Sequence, residues 1–382
     1  ANGNIATNGD VTAETGKAVL NSKSGSVTMQ NVAGNSEVDI DAAQDITADG
    51  NLTSNNGDIT LNAGGNITTN GKTKARNNVT ANAKGDINAN NDVTSTNANV
   101  ELNAGGSIKT NSIVNALNNV IANANGNIAT NGDVTAETGK AVLNSKSGSV
   151  TMQNVAGNSE VDIDAAQDIK AYGNLTSNNG DITLDAGGNI TTNGNVNAYD
   201  HLIANAKGDI AINGEITTEN GSAVLKSNSG SITTNGNVNV YDNVIANAAG
   251  DIATNGDITT ENGSVVLNSS AGSVTMQNIT ANNKVDIDAV QNITADGNLI
   301  SSNGDITLDA GGSITTNSIV NALNNVIANA NGNIATKGDV TATNGNAVLN
   351  SKGGSVNTQN VTAGQVVDID AAYDITADGN LT

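Results

Sequence analysis

The stretch Asp58-Ile-Thr-Leu-Asn-Ala-Gly-Gly-Asn-Ile-Thr-Thr-Asn-Gly71 decides the fold. Ile59, Leu61 and Ala63 alternate with Thr60 and Asn62, so the segment is a strand with one apolar and one polar face. Helical spacing is not supported. A Gly-Asn turn then leads to another apolar marker, Ile67, and the unit recurs from end to end. Nineteen such markers, each Ile or Val, run from Ile5, Val27 and Ile46 to Val356 and Ile375 in steps of 19 to 22 residues. Before each marker stands Asn, Ser or Asp in all 19 cases, with Gly before that in 15. A phase this strict predicts a backbone turn at every repeat, made by residues that tolerate positive φ.

Each period reads as three short strands, for example residues 4–8, 10–14 and 17–22. Strands too short to bury anything alone can stack only as coils of a solenoid. The expectation is an all-β, right-handed parallel β-helix of about 19 coils, one continuous shaft over residues 1–382. At about 4.8 Å per coil such a rod is roughly 90 Å long. Its narrow interior suits Ile, Val, Leu, Ala and Thr, and the absence of proline suits strands that must keep every ladder N–H. Asn at equivalent turns, as in Thr69-Asn70-Gly71 and Thr192-Asn193-Gly194, predicts side-chain amide ladders along the stack.

Longer copies overlie this period. Residues 1–71 match 124–194 except at Thr47/Lys170, Asp49/Tyr172 and Asn62/Asp185, and residues 107–130 match 313–336 except at Lys109/Thr315. Composition agrees with a repetitive fibre rather than an ordinary globule. The 382 residues include 43 Gly and four Tyr but no Phe, Trp, Pro or Cys. A net charge of −22 argues against nucleic-acid or anionic-lipid partners. No run of 18 apolar residues is present, so no membrane-spanning helix is expected, and the first residues carry no signal-peptide pattern. Without cysteine, disulfide and thiol chemistry are excluded.

The units 58–71 and 173–188 resemble the shaft repeats of filamentous haemagglutinin-type adhesins, and the likeness extends over essentially the whole chain. The resemblance implies a large exoprotein of a Gram-negative bacterium, at the cell surface or extracellular. Its partner in export would be the outer-membrane transporter of a two-partner secretion system. Its role would be adhesion to a host-cell, carbohydrate or neighbouring-cell surface, or biofilm cohesion. The Asn-Pro motifs of that family's secretion domain do not occur here. The chain starts in the first strand of a coil and stops in the middle strand of another, so an internal piece of a longer shaft is expected. The alternative is a self-assembling extracellular filament subunit.

No catalytic, cofactor or metal site is expected. Period lengths leave no loop long enough to wall a pocket. His201, the lone histidine, follows a turn and replaces the equivalent of Asn78, which favours a structural role. The pairs Asp39/Asp41, Asp162/Asp164, Asp286/Asp288 and Asp368/Asp370 alternate with apolar residues and should face solvent. On an exposed flat strand they would be neither desolvated nor raised in pKa. The basic cluster Lys72, Lys74 and Arg76 reads as variable surface. The file of residues after each marker holds ten Thr, but lysines interrupt it, which disfavours ice binding. Surface contacts are expected from Tyr199 and Tyr241, two coils apart on one side. Ile121, Ile203, Ile245 and Ile327 should form sparse outward apolar spots for lateral association, end-to-end self-association being the other mode expected.

Overall fold

A computed structural model describes residues 1–382 as strands joined by short turns, with no helix. It is a parallel β-solenoid with three strands per coil. The first coil shows the plan, with β1 (Ile5–Ala6), β2 (Val11–Ala13) and β3 (Lys17–Ser22). Later coils have two strands of three residues and a third of five or six. All 19 markers read from the sequence begin a first strand, and 18 coils carry all three strands. The chain divides into two compact units, residues 1–188 with 192–194, and residues 189–191 with 195–382.

Within the first unit, each strand pairs in parallel with its equivalent one coil away. Ile67 lies between Ile46 and Ile87, Thr73 between Leu52 and Val93, and Val79 between Ile59 and Val100. Strand burial alternates accordingly: Ile59, Leu61 and Ala63 point inward, while Thr60 and Asn62 are half-exposed. The second unit repeats the arrangement, with Val285, Ile287 and Ala289 inward and Asp286 and Asp288 outward. Every coil therefore contributes a ring of small and β-branched side chains whose burial is shared with the coils above and below.

The corner before each marker differs from the sequence-based expectation. No residue, glycine or otherwise, has a positive φ. Glycine is needed there because coils approach closely. A Cβ at Gly148 would fall 2.8 Å from both the nitrogen of Asn127 and the carbonyl carbon of Gly126, and would also strike the Asn127 Oδ1. That oxygen accepts the Ser149 N–H at 2.8 Å. The same clamp joins Asn66 to Asp45, Asp86 to Asn66, and Ser107 to Asp86, each N–H to Oδ1 distance being 2.7 Å. Ser serves as well, its Oγ accepting the Asn127 N–H at 3.1 Å from Ser107. Asn, Asp and Ser share an acceptor oxygen on a short side chain, which explains why no other residue precedes a marker.

Some inward hydroxyls are poorly served. Thr110 and Thr130 are paired across adjacent first strands, almost fully buried, and neither Oγ1 has a hydrogen-bond partner. Replacing both with Val keeps the shape and removes two desolvated hydroxyls, which should stabilise by about 1 kcal/mol per site. Differential scanning calorimetry should show a melting temperature higher by about 2–4 °C for each.

Candidate functional site

The outward face of the third-strand sheet carries two files of side chains. In the first unit the inner file runs Asn62, Asn82, Asn103 and Asn123 in successive coils, with Asp41 and Asn21 before them. Each amide donates to the oxygen one coil back: Asn62 to Asp41 at 2.9 Å, Asn82 to Asn62 at 2.9 Å, Asn103 to Asn82 at 2.9 Å and Asn123 to Asn103 at 3.0 Å. The ladder expected at the turns is also present, Asn90 donating to Asn70 and Asn111 to Asn90, both at 2.7 Å. Beside the inner file lies an open groove of about 1100 Å³, lined also by the strand-end residues Ala42, Ala63, Ala83 and Ala104. The second unit has a smaller groove of about 720 Å³ at the equivalent place, along Asn268, Asp288, Asp309 and Asn329.

Asp39, Asp162, Asp164 and Asp288 fall on these outward files, as the alternation predicts. Their ionisation does not follow expectation. Burial is the first cause that pushes each carboxyl above the ordinary value of 3.8, and neighbouring carboxylates add to it. For Asp162 those neighbours are Asp164, Glu160 and Asp185. Stacked coils desolvate one another's side chains, an effect that a single strand does not reveal. Asp92 moves the other way, held low chiefly by the Ser112 hydroxyl and then by Lys72. A raised carboxyl binds its proton more tightly folded than unfolded, so these four groups favour folding more as pH falls from neutrality toward 3.8. Asp92 loses its contribution as pH falls from 3.8 through its own depressed value, below that window. Thermal unfolding followed by circular dichroism should therefore show a higher midpoint at pH 5 than at pH 7.

The remaining residues singled out in the sequence fall at separate places. His201 sits at a corner, and its Nδ1 accepts the Ser222 N–H at 3.0 Å, as the Oδ1 of Asn78 accepts the Asn99 N–H at 3.2 Å. Lys72 pairs with Asp92 at 3.0 Å, while Lys74 and Arg76 line a hollow of about 380 Å³ with Thr53, Asn55, Thr96 and Asn97. Tyr199 is exposed and Tyr241 half-buried; register puts them two coils apart with Glu219 between.

Ile121, Ile203, Ile245 and Ile327 are half-exposed on the outward face. They are not sparse spots. Val224 lies between Ile203 and Ile245, and Val266 follows Ile245, making a continuous apolar file of four. Ile121 adjoins Val142, and Ile327 adjoins Val348. The file was missed because the valines occur in Ala-Val-Leu and Val-Val-Leu contexts, and only the coil register aligns them with isoleucines of Val-Ile-Ala and Leu-Ile-Ala.

Two of the three differences between the copied blocks are coupled. Where the first block has Thr47 and Asp49, the second has Lys170 and Tyr172, and the Lys170 ammonium lies 4.8 Å from the Tyr172 ring centre. The third difference places Asp185 beside Asp164 and lengthens the acidic end of the file. No helix is long and apolar enough to cross a membrane. Compared with known protein families, curated proteins and solved structures, the chain matches none.

Proposed function

We propose that the chain is a non-enzymatic structural shaft of a bacterial surface or extracellular adhesin fibre, serving adhesion or biofilm cohesion. On this reading an outer-membrane transporter of a two-partner secretion system exports it from a Gram-negative cell. The observation that supports it is the interchangeability of coils. Each joins the next by the same corner clamp and the same three parallel pairings, so blocks of coils can be copied without redesigning a core. Block copies differing at three of 71 positions agree with that use.

Removing residues 5–127, six coils between equivalent corners, tests the reading on the native fibre displayed at its cell surface. The shaft reading expects the shortened chain to fold, the distance to a distal tag to fall by about 29 Å, and attachment across a gap to weaken with it. Attachment unchanged by the deletion would contradict a spacer role. Growth of purified chains into long filaments would favour the self-assembling alternative.

A further inference from the structure

The groove of the first unit has a second wall with a regularity of its own. The residue after each third strand forms its far rim, and there Lys23, Lys84 and Lys146 stand at intervals of three coils, with Ala43, Gly64 and Gly105 among the residues between. Backbone hydrogen bonds fix this register, Lys84 N–H to Ala63 at 3.1 Å and Lys146 N–H to Ala124 at 3.0 Å. Three coils correspond to about 14 Å. None of the three lysines is in an ion pair, in a chain whose net charge is −22. They stand across the groove from the amide file.

The geometry points to this groove as the binding site for an extended, carboxylate-bearing polysaccharide lying along the stack. Each amide in the file retains hydrogen-bonding capacity. Asn82 donates one N–H to Asn62 and accepts from Asn103, which leaves it a second N–H and a second lone pair. Asn103 gives its second N–H to Glu101 at 2.9 Å but keeps a lone pair. A hydroxyl both donates and accepts, so sugar hydroxyls match such a row. Successive rings of an extended glycan advance by about one coil each, keeping step with the amides over many residues. An extended peptide advances only about 3.3 Å per residue and drifts out of step with the roughly 4.8 Å repeat. Gly64 and Gly105 keep the rim between the lysines low enough for a ring to approach. The lysines, on flexible stems, supply point charges for carboxylates on the polymer.

The inference rests on the shaft reading for its setting at an extracellular surface and adds to it a ligand and a site. Polygalacturonate, a uronate polymer with a carboxylate on every ring, serves as probe, with dextran as the neutral and polyglutamate as the non-glycan anionic control. Titration of the full chain should show polygalacturonate binding that weakens with salt, and little binding of either control. Lys84→Glu should weaken binding by about tenfold, whereas Lys337→Glu, outside the groove, should leave it unchanged. Asn82→Asp, which adds a carboxylate to the wall, should also weaken it while the circular dichroism spectrum stays that of the parent. Equal binding of polyglutamate, undiminished binding by Lys84→Glu, or no polygalacturonate binding would overturn the assignment. Those failures leave the length dependence of attachment untouched, so loss of this site and loss of the shaft reading are separable.

Discussion

Ile87→Asp should disrupt the first unit locally, at a cost of about 4 kcal/mol or more. Ile87 is 2% exposed and lies between Ile67 and Ile108 in the file of markers. Nearby inward side chains are Leu61, Thr69, Thr73, Val79, Ala81, Ala89, Val93 and Leu102, none of which carries a positive charge to compensate a carboxylate. An uncompensated charge there must be protonated, drag in water or open the coil. Because a coil is held only by its neighbours, the damage should be confined to those coils while more distant ones keep their protection. Native-state hydrogen exchange, read by mass spectrometry, should show fast exchange centred on residues 67–108. Uniform loss of protection through the unit would mean cooperativity of longer range than stacking supplies.

Gly148→Ala and Gly148→Asn should both destabilise, by about 2 kcal/mol each. The added Cβ meets backbone of the preceding coil and displaces the Asn127 Oδ1 from the Ser149 N–H. The pair of substitutions separates two roles for the glycine. If the position needed a left-handed backbone, Asn would be tolerated better than Ala, since its short polar side chain adopts that region readily. If the position needs empty space, the two should fail alike. Denaturant unfolding of both variants measures the difference, and a clearly milder Asn variant would restore the conformational explanation.

The solenoid was legible because its cause is local. An inward Ile or Val and a corner with a short acceptor side chain must recur in every coil, and both leave a period visible without structure. All 19 markers start first strands for that reason. The corner chemistry was less legible: Gly next to Asn or Asp suggests a turn through positive φ, whereas these residues secure close approach and an inter-coil hydrogen bond. What the sequence concealed are relations between coils. The apolar file Ile203, Val224, Ile245 and Val266 depends on register across periods of unequal length. The raised carboxyls depend on desolvation by neighbouring coils, and the groove on the rim residues Lys23, Lys84 and Lys146 facing an amide ladder. Periodicity identifies which residues point outward, but only the stacking register identifies their neighbours.

Paired cysteines test the stacking most directly, since the native chain has none. Thr60 and Thr80 are register partners in adjacent coils, and Thr80 in turn partners Glu101. With Thr60→Cys and Thr80→Cys combined, one strand spacing of about 4.8 Å separates the Cα atoms, within the range that a disulfide spans. Thr60→Cys with Glu101→Cys puts two spacings between them, too far to bridge. Under mild oxidation the first pair should crosslink within the folded chain and the second should remain reduced. Efficient crosslinking of residues 60 and 101, with none between 60 and 80, would contradict a coil that closes every twenty or so residues.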